Sequence, residues 1–177
     1  MQTHEQRARE LFQGGSQCAQ SVFAALCDRT GLSEADALAL SSSFGGGIGR
    51  TRETCGALCG LLMALGALLG RYPKGDGEAK DRHYRLVQYA EALFKRRTGS
   101  LFCYELLGIP HAAQIPVSEK RTEQFYKQRP CESIILAAVA IFDELMDEYE
   151  NGTLEQKITP EAAVKTTEYL NERTDVR

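Results

Sequence analysis

The sequence predicts an all-α fold: a single-domain helical bundle around a buried central helix rich in Gly, Ala and Leu. Three observations predict it. Apolar residues recur at helical spacing through residues 78–97 and again through 131–149. A 16-residue stretch from Cys55 to Gly70, CGALCGLLMALGALLG, has almost no polar face. No segment alternates apolar and polar residues as a half-buried strand does. A chain of 177 residues is long enough for one domain with a proper core. Residues 1–155 are read as the main helical domain, and 156–177 as a C-terminal helix and frayed tail packed on it.

The elements follow in order. Residues 4–13 form a short helix anchored by Leu11 and Phe12 and ended by Gly14-Gly15. Ser16 reads as the N-cap of a second helix, with Cys18 in its first turn and Val22, Phe23 and Leu26 on its apolar side. It runs to about Arg29, and Gly31 stops it. Ser33 starts another short helix with Asp36 three residues on, an analogue of the capping box, and Leu38 and Leu40 give it apolar content. The loop SSSFGGGIGRTRETC follows. Gly45, Gly46, Gly47 and Gly49 free its backbone of bulk, so it can bend sharply or approach a cofactor closely. It lacks GxxxxGK[ST], and no strand precedes it, so it is not a phosphate loop.

Thr51 reads as the N-cap of the central helix, with Cys55 at the end of the first turn. Gly56, Gly60, Ala64 and Ala67 keep one surface thin, while Leu61, Leu62, Leu65, Leu68 and Leu69 supply bulk. A helix without a polar face must be surrounded on most sides. Each internal glycine costs about 1 kcal/mol of helix propensity relative to alanine, so packing or function must offset it. YPKGDG, residues 72–77, is an exposed turn. The amphipathic helix 78–97 carries Tyr84, Val87, Ala90, Leu93 and Phe94 on one side. Ser100 caps a short helix, LFCYELLG, with Cys103 at its third position and Gly108 and Pro110 closing it. Residues 109–116 form a loop, and 118–128 a charged, loosely held helix. Pro130 suits the first position of the next helix, with Cys131 beside it. Ile134, Ile135, Ala138, Val139, Phe142, Leu145 and Met146 form its buried stripe to about Tyr149. Asn151-Gly152 ends it, and Thr159-Pro160 opens a last helix through Leu170.

Composition narrows the function. The formal net charge is -3, and basic residues dominate no long segment, which excludes a nucleic-acid surface. The apolar stretch falls short of the roughly 20 residues that span a bilayer, so no membrane span is expected. The first residues lack a signal peptide's apolar run, which points to the cytoplasm. Reducing conditions there leave the cysteines free, ligating or transiently oxidised. A second copy of the chain could pack on the thin glycine–alanine face.

Of six cysteines, Cys18, Cys55, Cys103 and Cys131 fall at expected helix starts. Unsatisfied backbone N–H groups and the positive helix end favour a thiolate there. Four thiolates are a ligand set for an iron–sulfur cluster or zinc. There is no CxxC pair, so any such centre must be assembled by tertiary folding. Cys55 and Cys59 stand four apart on one helix face. Thiol–disulfide exchange is therefore the metal-free alternative, with Cys18, Cys55 and Cys59 as its reactive residues. Cys27 reads as a core residue. Glu53, Arg50 and Arg52 could tune a thiolate, although surface charge is the commoner role of such residues. A metal-free scaffold or binding module, its cysteines dispersed and inert, is the third reading. His4, His83 and His111 are scattered, and no HExxH occurs.

The segments GGSQCAQSVFAAL, FGGGIGRTRETCGALCG, FCYELLG and the PC at 130–131 resemble the redox-active family named for its cysteine pattern, C_GCAxxG_C_C. The resemblance runs from about residue 8 to 148. It implies a redox-active or metal-binding domain with Cys18, Cys55, Cys103 and Cys131 as landmarks and a redox protein as partner. The family is similar to a region of split-Soret cytochromes, which can be associated with an iron–sulfur cluster. This chain has no CxxCH, so haem is not carried over. Cys59 departs from the family pattern as an additional thiol.

Overall fold

A computed structural model describes residues 2–172. Eleven α-helices are present among them, and no sheet. They are α1 (His4–Gln13), α2 (Cys18–Ala25), α3 (Cys27–Thr30), α4 (Glu34–Ser41), α5 (Gly56–Leu69), α6 (Gly77–Thr98), α7 (Cys103–Leu107), α8 (Glu123–Gln128), α9 (Cys131–Glu150), α10 (Leu154–Lys157) and α11 (Pro160–Asn171). A 3₁₀ turn, Ser42–Phe44, leads into the glycine loop. The expected frayed tail lies beyond the described residues.

Helix α5 is the central post. It packs most extensively on α2, and also against α9, α6 and α3. Leu58, Leu61, Ala64 and Leu65 are at 0% exposure, while Cys59, Leu62 and the last turn from Gly66 are half-buried. The thin face is used within the chain. A Cβ on Gly60 would sit 2.8 Å from the Ala19 carbonyl oxygen and the Val22 Cβ. The propensity lost at that glycine is thus offset by close approach of α2. Helix α9 buries the whole expected stripe from Ile134 to Met146, together with Ile141. Helix α11 lies along α6, where buried Lys95 donates to the carbonyls of Tyr169, Leu170 and Glu172.

Several helix ends differ from the expectation. The N-cap of α2 is Gln17, not Ser16. The Gln17 Oε1 accepts from Ala19 N at 2.8 Å, and its amide donates to the Ser41 carbonyl at 2.7 Å. Cys55 is itself the N-cap of α5, not a first-turn residue behind Thr51. Thr51 instead donates to the carbonyls of Gly47 and Ile48. Cys103 is the first residue of α7, whose N-cap is Phe102, not Ser100. Pro130 is the N-cap of α9 rather than its first residue. The expected helix from Arg29 back to Cys18 breaks at Leu26 into α2 and α3. The expected helix 118–128 is helical only over Glu123–Gln128, where Thr122 supplies the cap. Leu40 and Tyr84, assigned to apolar faces, are 56% and 52% exposed. Among the described residues no helix is long and apolar enough to cross a membrane.

Candidate functional site

The glycine loop builds one wall of the site. Gly46, Gly47, Ile48, Gly49, Arg50 and Arg52 all have φ between 58° and 69°. Three of these are not glycine, and each costs about 1–2 kcal/mol in the left-handed region. Loop hydrogen bonds hold the strained turn. Gly49 N donates to Ser43 O at 3.0 Å, Arg52 N to Gly46 O at 3.2 Å, and Glu53 N to Gly47 O at 3.1 Å. Such concentrated strain persists only where the surrounding structure dictates it, and it gathers at functional sites.

A short bridge then sets two cysteines side by side. Cys55 N donates to Leu101 O at 2.8 Å, and Cys103 N to Glu53 O at 2.7 Å. Thr54 and Phe102 are the antiparallel pair at its centre. Gly47 presses on this bridge. A Cβ there would meet the Cys103 Cβ at 2.7 Å and the Arg52 backbone at 2.8 Å. On the other side, a Cβ on Gly56 would come within 3.3 Å of the Cys18 Cβ.

Cys18, Cys55, Cys103 and Cys131 line one small chamber with Gly46, Gly47, Gly56, Leu106, Leu107 and Ile134. Its volume of about 20 Å³ is that of roughly one water molecule. All six cysteines are free thiols. A second, larger cavity of about 250 Å³ shares Cys18, Cys103, Cys131, Gly46 and Leu107 with the chamber. Gly45 lines this larger cavity, whereas Gly49 lines neither. Cys59 sits one turn along α5 and lines neither space; its N–H donates to Cys55 O at 3.0 Å. Cys27 is a buried core residue on the far side of α2 and α3, touched by Arg7 Nη2 at 3.5 Å.

The four thiols do not share one electrostatic environment. Cys131 is lowered to about 7, by hydrogen bonding with Cys18 first, against burial, and with help from Arg129, Arg121 and Arg52. The same interaction, with burial, holds the Cys18 proton well above its ordinary value. Burial pushes Cys55 to about 12, although the N–H groups of Ala57 and Leu58 oppose it. Burial raises Cys103 as well, against the Arg52 guanidinium. Burial also raises Cys59, to about 11. The expectation that every helix start lowers its thiol is not met: helix-end N–H groups lower Cys55 but burial outweighs them, and Cys131 is lowered by Cys18 and the arginines instead.

Arg52 departs most from its expected surface role. It is 2% exposed. Its Nη1 donates to the Cys103 sulfur at 3.8 Å, and its Nη2 donates to Gln114 and lies 3.5 Å from Glu119. Arg50 reaches Gln114 at 2.9 Å and the Ile115 carbonyl at 3.0 Å. Arg121 and Arg129 come from the loop and helix before α9 and stack on Phe125 at 4.7 and 4.8 Å. Sequence reasoning missed Arg121, Arg129, Gln114 and Glu119, since nothing local marks them. Only the positions of Arg50 and Arg52 beside Cys55 gave a signal.

A family model described as "Putative redox-active protein (C_GCAxxG_C_C)" matches residues 16–145. The chain belongs to the C_GCAxxG_C_C family. The match begins just before Cys18 and ends beyond Cys131, so it encloses the whole chamber. No curated protein and no solved structure was found to match. The family description is redox activity, and the structure gathers four cysteines of this C_GCAxxG_C_C protein around a single space.

Proposed function

We propose that Cys18, Cys55, Cys103 and Cys131 act together as one redox centre, and that they ligate an iron–sulfur cluster serving electron transfer or sensing. The observation that carries the reading is that four cysteines from four separate elements line one chamber. Inert core thiols would be dispersed, as Cys27 is. The donor chemistry suits a cluster, which takes four thiolates. Among the described residues, no group of three or more His, Cys, Asp or Glu is spaced for a metal ion. A cluster would need more room than the chamber alone offers, and the adjoining 250 Å³ cavity borders three of the four thiols. When bound, the cluster supplies one-electron chemistry. The chain's residues would do the rest. Arg52, Arg121 and Arg129 offset thiolate charge, α2, α5 and α9 exclude water, and the glycine loop keeps the wall beside Cys103 thin. An electron-transfer protein would be the partner.

A second reading is favoured by the lowered Cys131. In it, Cys131 and Cys18 cycle between dithiol and disulfide: two thiols lose two electrons and two protons to a disulfide or other two-electron acceptor, and one S–S bond forms. The test is anaerobic purification followed by visible absorbance, iron and labile-sulfide analysis, with reconstitution. A coloured protein with iron and sulfide, losing both in a Cys103→Ser variant, is expected. A colourless protein that also fails reconstitution overturns the cluster. Differential alkylation with mass spectrometry then reads the disulfide alternative as a bond between residues 18 and 131.

A further inference from the structure

We propose that the arginine-lined cavity beside the cysteine chamber is a binding site for a small, multiply charged oxyanion of phosphate size. Its walls carry Arg50, Arg52, Arg121 and Arg129, and a single carboxylate, Glu119. Four guanidiniums against one carboxylate leave an excess of three positive charges in a space of about 250 Å³. That volume admits a tetrahedral oxyanion.

Arg50 already gives all three of its nitrogens to Ile115, Glu119 and Gln114, whereas Arg52 and Arg121 each keep an unpaired donor. Glu119 already accepts from Arg129 at 2.6 and 2.7 Å and from Arg50 at 3.3 Å. Arg52 is almost wholly buried, yet its Nε has no hydrogen-bond partner. Arg121 is anchored by Nη2 to the Ser16 carbonyl at 3.2 Å and leaves a buried Nη1 equally unpaired. A buried guanidinium donor without a partner is costly, and an anionic ligand removes that cost. The stacking of Arg121 and Arg129 on the Phe125 ring fixes two planar donor forks at little further entropy. Planar forks of this kind recognise oxyanions through paired N–H···O bonds. Shared walls at Cys18, Cys103 and Cys131 bring a bound oxyanion against the thiols. The inference does not rest on the cluster reading, because arginines and not thiols make this site.

Calorimetric titration of the full chain, reduced and metal-free, with sodium phosphate and in parallel with sulfate tests it. One saturable site per chain is expected. Arg121→Gln and Arg129→Gln should each weaken binding by roughly tenfold or more, the size of one charged hydrogen bond. Arg71→Gln, on the exposed end of α5, should leave it unchanged. The Cys18→Ser, Cys131→Ser double variant should still bind. Phosphate should also raise the melting temperature of the unmodified protein above that in chloride at equal ionic strength, a readout independent of how the variants fold. Absence of saturable binding and of that rise overturns the proposal. So does unchanged affinity in both arginine variants, or loss of binding in the cysteine variant, which would mean that the arginines serve the thiols alone.

Discussion

Replacing Gly47 by alanine tests whether the strained loop holds the cysteine chamber closed, and Gly49→Ala is its internal control. Both glycines have positive φ, 68° and 58°. Either substitution therefore costs about 1–2 kcal/mol for an L-residue in the left-handed region. Restricting the unfolded chain returns about 0.4–1 kcal/mol. At Gly49 nothing lies within 4 Å of the added Cβ, so the net loss there should be about 0–1.6 kcal/mol. At Gly47 the Cβ would sit 2.7 Å from the Cys103 Cβ and 2.8 Å from the Arg52 Cα and carbonyl carbon. These neighbours are backbone or backbone-linked and cannot swing aside. Overpacking of this kind adds about 1–3 kcal/mol, which brings Gly47→Ala to about 1–4.6 kcal/mol. In a chain of this length each 1 kcal/mol moves the melting temperature by about 2–4 °C. Urea titration and thermal melting of the reduced protein should thus rank Gly47→Ala well below Gly49→Ala. Alkylation of Cys103 should be faster in the former as the wall shifts. Equal destabilisation by the two substitutions would refute the claim that the loop is pressed against Cys103.

Three further outcomes are expected. In reduced, metal-free protein the alkylation rate of Cys131 should rise through a midpoint near pH 7, and Cys18→Ala should move that midpoint upward by removing the hydrogen bond that lowers it most. Cys55, pushed to about 12, should stay unreactive throughout. Phe142→Ala should cost about 3–5 kcal/mol, read by urea titration, since Phe142 is wholly buried in the α9 stripe. Burial of His4 disfavours its charged ring, but Asp28 and Asp143 overcome that and raise its pKa above 6.5. The charged ring therefore stabilises the fold fully below pH 6.5, and the contribution fades as pH rises through the raised value. His4→Gln should narrow the gap in unfolding free energy between pH 5.5 and pH 8.5; an unchanged gap would remove His4 as its source.

The helices were legible where one face of the sequence had to be buried and a cap residue stood at the end. Helix α1 agrees with its expected range, and α9 buries every residue of its expected stripe because seven apolar side chains recur at helical spacing. Misplaced caps share a cause. Ser16, Thr51 and Ser100 are the best cappers by chemistry, but each lies upstream of the true helix start. At two of the three starts, long-range backbone pairing decides. Cys55 N and Cys103 N are held across the Thr54–Phe102 bridge, so both helices begin only after it. A two-residue bridge leaves no periodicity to read. Helix α10, four residues long, is invisible for the same reason.

The cysteine set was legible for a reason only partly correct. Each of the four does stand at or beside a helix start, and that placement aims them into one space. It does not make them equivalent thiolates. The hydrogen bond with Cys131 and burial hold the proton on Cys18, and burial outweighs the helix N–H groups at Cys55 and Arg52 at Cys103, while Cys131 alone is lowered. What separates Cys131 is first its hydrogen bond with Cys18 and then the company of Arg129, Arg121 and Arg52, none of which a local pattern announces. Arg52 lies 51 residues from Cys103 in sequence and touches its sulfur. Arg121 reaches back 105 residues to Ser16. A charged stretch such as RTEQFYKQR reads as a solvated face, and most of it is one; Arg121, Phe125 and Arg129 alone of it line the cavity. The site's positive charge is therefore a property of the folded chain. It is also what a reader of the cysteine motif alone would leave out, although together with the Cys18 hydrogen bond it lowers the Cys131 thiol.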